Sequence, residues 1–115
     1  MNYVTFKNQA AQGDVLVTRI DKLPDGLKEM TPEDGQFIVG HSETGHHHVV
    51  VADRPTTKVY HGNEPLLMFL NVKEPVLLRH ERSFDTHKAL KIEPGTYEIR
   101  NQREHTPEGW RRVAD

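Results

Sequence analysis

Leu66-Leu67-Met68-Phe69-Leu70-Asn71-Val72 is the most apolar run in the chain, and its reading as helix or strand decides the fold. The run is short, and breakers close it on both sides, Gly62-Asn63-Glu64-Pro65 before it and Lys73-Glu74-Pro75 after it. An apolar run of this length between turn signals suits a central strand with both faces covered better than a buried helix.

The same pattern recurs on either side. Val76 to Glu81 reads as a strand in which Val76, Leu78 and His80 share one face, so His80 extends an apolar stripe. Ala89 to Ile92 leads to Glu93-Pro94-Gly95, a Pro-Gly turn of the kind that favours type II geometry. Thr96 to Arg103 then alternates, with Tyr97 and Ile99 inward and Glu98 and Arg100 outward. Trp110 to Val113 is a last strand or a docked tail. Upstream, Asp14 to Ile20 is rich in β-branched residues, Leu27 to Met30 is a short edge strand, and Lys58 to His61 is a brief strand. Gln36 to His41 and His46 to Ala52 read as two strands of a hairpin. No window of eleven or more residues keeps a helical period. The expected fold is therefore all-β and antiparallel, a single small β-barrel or sandwich. Residues 1–12 lack periodicity and are expected to be a dispensable N-terminal arm before one domain at 13–115.

Composition narrows the function classes. The chain has 115 residues, 35% of them hydrophobic, and a mean hydropathy of -0.72, which is enough for one lean core. A net charge of -2 and a pI near 6.4 supply no basic field for nucleic acid. No stretch approaches the ~20 apolar residues that cross a bilayer, and the start lacks a secretory apolar segment, so a cytoplasmic protein is expected. Zero cysteines exclude disulfides and thiolate chemistry, leaving nitrogen and oxygen donors for any metal. Eight histidines then become the notable count.

Three of these stand together in Gly40-His41-Ser42-Glu43-Thr44-Gly45-His46-His47-His48, a glycine-punctuated turn running into Val49-Val50-Val51. The run lies inside the chain and continues into a β-branched strand, unlike an expression tag. Alternation on a strand puts His46 and His48 on one face, able to grip one ion, and His47 on the other. His80 and His87 complete the expected ligand set, for Zn, Fe, Mn or Ni. His41 and His61 are reserve ligands. Glu43 is the nearest carboxylate and a candidate catalytic base on a metal-bound water. Such binding should fade below about pH 6, where histidines of ordinary pKa near 6.5 are protonated. The structural reading of the same residues is a core hydrogen-bond network without an ion.

Several segments together resemble a family of small uncharacterised proteins found in bacteria and phages. They are Gln12-Gly13-Asp14-Val15-Leu16, the Gly40 to His48 turn, Glu93-Pro94-Gly95-Thr96-Tyr97, Gln102-Arg103-Glu104-His105-Thr106-Pro107 and Arg111-Arg112-Val113-Ala114-Asp115. The likeness covers about residues 12–115, with His105 where that family has Tyr and a longer segment between His80 and His87. His46-x-His48 and the Pro94-Gly95 turn also resemble cupins, without the Glu that cupins carry a few residues on, where Val51 to Arg54 stand. These resemblances imply a cupin-like fold and a histidine site, with no activity attached.

Two functions are expected to compete. One is a metal-binding protein acting on an unknown small molecule, as an enzyme using bound water or O₂. The other is a non-catalytic bacterial or phage accessory protein that binds a protein partner. A homodimer is compatible with either, and neither calls for a nucleic acid or a membrane.

Overall fold

The computed structural model describes residues 3–40, 47–52, 55–80, 88–106 and 109–112, with the backbone alone described from residue 103 onward. Among them the chain forms only strands and connections. In chain order these are β1 (Tyr3–Thr5), β2 (Gln9–Gln12), β3 (Val15–Ile20), β4 (Lys28–Glu29) and β5 (Gln36–Gly40). Next come β6 (His48–Val51), β7 (Thr57–His61), β8 (Leu67–Val72) and β9 (Val76–His80). The last are β10 (Ala89–Ile92), β11 (Gly95–Asn101), β12 (Arg103–Thr106) and β13 (Gly109–Arg112). No helix among the described residues is long and apolar enough to cross a membrane.

Two sheets make the body, ordered β1-β10-β9-β6-β5 and β2-β3-β11-β8-β7-β4, and β12 pairs with β13 as a separate hairpin. Each sheet keeps its own two edge strands, so the architecture is a sandwich, which settles the barrel-or-sandwich alternative against the closed barrel. Every ladder is antiparallel except β1 with β10, which is parallel. The run that decides the fold is a central strand, β8, between β11 and β7.

Alternation builds the core. Leu70 and Val72 of β8, Tyr97 and Ile99 of β11, and Val15 and Val17 of β3 project from one sheet and are all but fully buried. Phe37, Val39, Val50, Leu78, Leu90 and Ile92 of the other sheet pack against them in one cluster. The outward residues alternate as a half-solvated sheet requires, with Arg100 bonded to Glu98 across the surface of β11.

Residues 3–12, expected within the N-terminal arm, contribute an edge strand to each sheet. Tyr3 to Thr5 add to β10 as an edge strand, and Gln9 to Gln12 pair with β3. Phe6 and Ala10 pack on the core, and the Phe6 ring meets Tyr97 edge-on, centroids 6.0 Å apart. The loop between β1 and β2 accepts from Arg19 twice, at Lys7 O (3.0 Å, from Nε) and Asn8 O (2.7 Å, from the backbone N–H). Edge backbone, Phe6, Ala10 and the Gln12 amide carry this segment, so it leaves little periodicity to read. Pro94-Gly95 also departs from expectation. Gly95 has φ 152, not the value near +80 that a type II turn requires, and begins β11, where a Cβ would run into the Arg19 guanidinium.

Deleting residues 1–12 removes two ladders, the Phe6 contact and a buried amide. The unfolding free energy should fall by about 3 kcal/mol or more, read from urea denaturation, and an unchanged midpoint would return the segment to the status of an arm.

Tyr97 supplies a second check. Burial raises its phenol above the usual 10.0, opposed by the Arg19 guanidinium 4.8 Å from the ring centroid, and its hydroxyl donates to Glu93 O at 2.6 Å. The unfolded chain loses this proton before the folded one does. The contribution to stability is thus intact below about pH 10 and lost as pH rises through the folded value. Urea midpoints between pH 8 and 11 should decline more steeply for the parent protein than for Tyr97→Phe.

Candidate functional site

The register between β6 and β9 sets His48 directly opposite His80. Both project to the core side, 2% and 8% exposed, whereas His47 is only half-buried. The two rings stack with centroids 4.2 Å apart and planes 6° from parallel. In-plane lone pairs on parallel rings run side by side, so this arrangement does not aim both imidazoles at one ion.

Two further polar side chains close on His48 from the other sheet. Gln12 ends β2 and Val15 begins β3, leaving Gly13-Asp14 as a two-residue hairpin loop. Gly13 takes φ 59, the left-handed value such a loop needs at its first position. That turn carries Asp14 inward, where its Oδ1 lies 3.6 Å from His48 Nε2, both residues buried. The Gln12 amide lies 2.8 Å from His48 Nδ1 through Oε1, and its Nε2 donates to Leu78 O and Lys88 O, each at 3.0 Å. The loop that follows β11 adjoins this corner, since Gln102 N–H donates to Asp14 O at 2.8 Å.

Gly40 makes room for the ring. It pairs with His48 just past a register shift in the β5–β6 ladder. A Cβ there would stand 2.8 Å from Val15 Cγ2 and 3.0 Å from both His48 Cδ2 and Asn101 Oδ1. Asn101 is itself fixed, donating from Nδ2 to Val39 O at 2.9 Å.

Of the expected site residues, His48 and His80 are brought together. Glu43, His46 and His87, with the reserve ligand His41, lie outside the described residues. His61 is exposed on β7, in the other sheet. Among the described residues no group of three or more histidine or acidic side chains is placed to hold a metal ion. Gln12 and Asp14 were not anticipated. Gln12 falls in the segment expected to be an arm and Asp14 at the head of a strand, and only the tight hairpin turns them inward. A separate cleft of about 340 Å³ opens by Met30, Pro32, Phe37 and Ala52, away from the histidines.

Replacing Gly40 with Ala should displace the His48 ring or the Val15 side chain, at a loss of about 1–3 kcal/mol. Thermal unfolding reads this as a lower Tm, and an unchanged Tm would show that the neighbours yield freely.

No curated protein and no solved structure matches the chain. A family described as a domain of unknown function, DUF8820, matches residues 11–102. That span begins one residue before Gln12 and takes in Asp14, Gly40, His48 and His80, leaving β12 and β13 beyond it. With most of its length matched, the chain belongs to the DUF8820 family of domains of unknown function.

Proposed function

We propose that this β-sandwich is a metal-binding protein whose ion is held at the His48 corner, with His48 Nε2 and the Asp14 carboxylate as its first two ligands. The spacing of these two groups carries the reading. Charge-assisted N–H···O bonds close to about 2.7–2.9 Å, and at 3.6 Å the two atoms are too far apart for one. Two donors each about 2.1 Å from a tetrahedral ion stand about 3.4 Å from one another. The observed separation is close to that value, and both groups are buried.

Nitrogen and oxygen donors without cysteine suit Zn, Fe, Mn or Ni. His46, two residues before His48, and His87, between β9 and β10, are the side chains we assign to complete the shell. His80 then supports the site by stacking on His48. A catalytic ion keeps one position for water beside three protein ligands, so the enzyme reading takes only one of His46 and His87 as the third ligand, and Glu43 is the base we assign to act on that water. The substrate of such a reaction is a small molecule.

The ring stack favours a second reading, in which His48, His80 and Gln12 are a core polar network and the chain serves a bacterium or phage by binding a protein partner.

Elemental analysis of untagged protein separates the two. The metal reading expects about one ion per chain, lost in His48→Ala and Asp14→Asn and kept in His47→Ala. Zinc should also raise the Tm of the parent, because an ion bound only by the folded state stabilises it. Metal content that is nil in the parent, or equal in the three variants, would leave the polar network standing.

A further inference from the structure

The Gln12 amide has a fixed orientation, and that orientation dictates where the proton of His48 sits. Leu78 O and Lys88 O are both carbonyl acceptors, so the end of the amide that faces them at 3.0 Å must be the NH₂. Oε1 is thereby turned to His48 Nδ1 at 2.8 Å. An amide oxygen only accepts, so Nδ1 must be the donor and carries the hydrogen. In the neutral ring the lone pair then falls on Nε2, the atom that faces Asp14.

We infer that Gln12 is the positioning residue of this corner, fixing His48 as its Nδ1–H tautomer so that Nε2 is presented as an electron-pair donor beside Asp14. The inference deepens the metal-binding reading and rests on it for its use. Metal-binding histidines are generally held this way, their second nitrogen donating to an oxygen that sets tautomer and ring orientation. Here the oxygen belongs to a side chain from the opposite sheet, itself pinned by two backbone carbonyls of the histidines' own sheet. A neutral ring of the other tautomer would present a lone pair to Oε1 and lose that bond. The Gln12 amide cannot flip to recover it without facing its oxygen to two carbonyls.

The test is nitrogen NMR on metal-free protein labelled with ¹⁵N-histidine, at pH 8, with His48 assigned by its absence from the His48→Ala spectrum. Expected is a protonated Nδ1 and an unprotonated Nε2, with Zn(II) then shifting Nε2 alone. Gln12→Leu should lose the tautomer bias and bind Zn(II) about 10–100-fold more weakly. Gln12→Glu keeps an acceptor for Nδ1–H but turns its second oxygen to the Leu78 and Lys88 carbonyls, so it should keep the bias at a lowered Tm. An unprotonated Nδ1 in the parent overturns the role of Gln12, whether or not zinc binds. The Nδ1–H tautomer without zinc binding upholds that role and overturns the metal reading instead. The parent spectrum decides even where a variant does not fold.

Discussion

Two side-chain amides tie the sheets of this sandwich to one another, and both act at the same end. Gln12 reaches from β2 to the carbonyls of Leu78, midway along β9, and of Lys88, just before β10, and Asn101 reaches from β11 to Val39 in β5. Elsewhere the interface between the sheets is the apolar cluster, which is non-directional and tolerates sliding. Hydrogen bonds do not tolerate it. They fix how one sheet is set over the other, and they do so beside His48.

That corner holds its polarity within narrow electrical limits. With ring centroids 4.2 Å apart, two positive imidazoles would repel by about 4 kcal/mol at an effective dielectric near 20. Asp14 brings a carboxylate to within 3.6 Å of one of the two rings, that of His48. Gly40 adds a steric limit on the same ring, so His48 is confined by the cross-strand stack, by the amide and by the missing side chain opposite.

Much of the fold was legible because apolar runs and turn residues coincide. Leu67 to Val72 could be placed as a central strand from its breakers alone, and Tyr97 and Ile99 from alternation. Tyr3 to Thr5 could not, because an edge strand held by its ladder needs no apolar pattern. The stripe through Val76, Leu78 and His80 pointed one histidine inward, but its stacking on His48 depends on the register of β6 against β9, which no local signal specifies. Gln12 and Asp14 were hidden for a related reason. Gln12 lies in a segment without periodicity and Asp14 is a polar residue at the head of a strand, and their burial depends on partners far along the chain. Glu43, His46 and His87 stay where the sequence put them, as candidates, since they lie outside the described residues.

The ladders also impose an order of assembly. β3 finds its partner β11 only near the far end of the chain, pairing Ile20 with Thr96, and β1 waits for β10, pairing Tyr3 with Ala89. A nascent chain therefore exposes one edge each of β3 and β8 until β11 arrives between them. High sequence separation of this kind slows folding and lengthens the time in which unpaired strands meet other chains. For this small domain, the late arrival of one strand sets how long the newly made chain is vulnerable to aggregation.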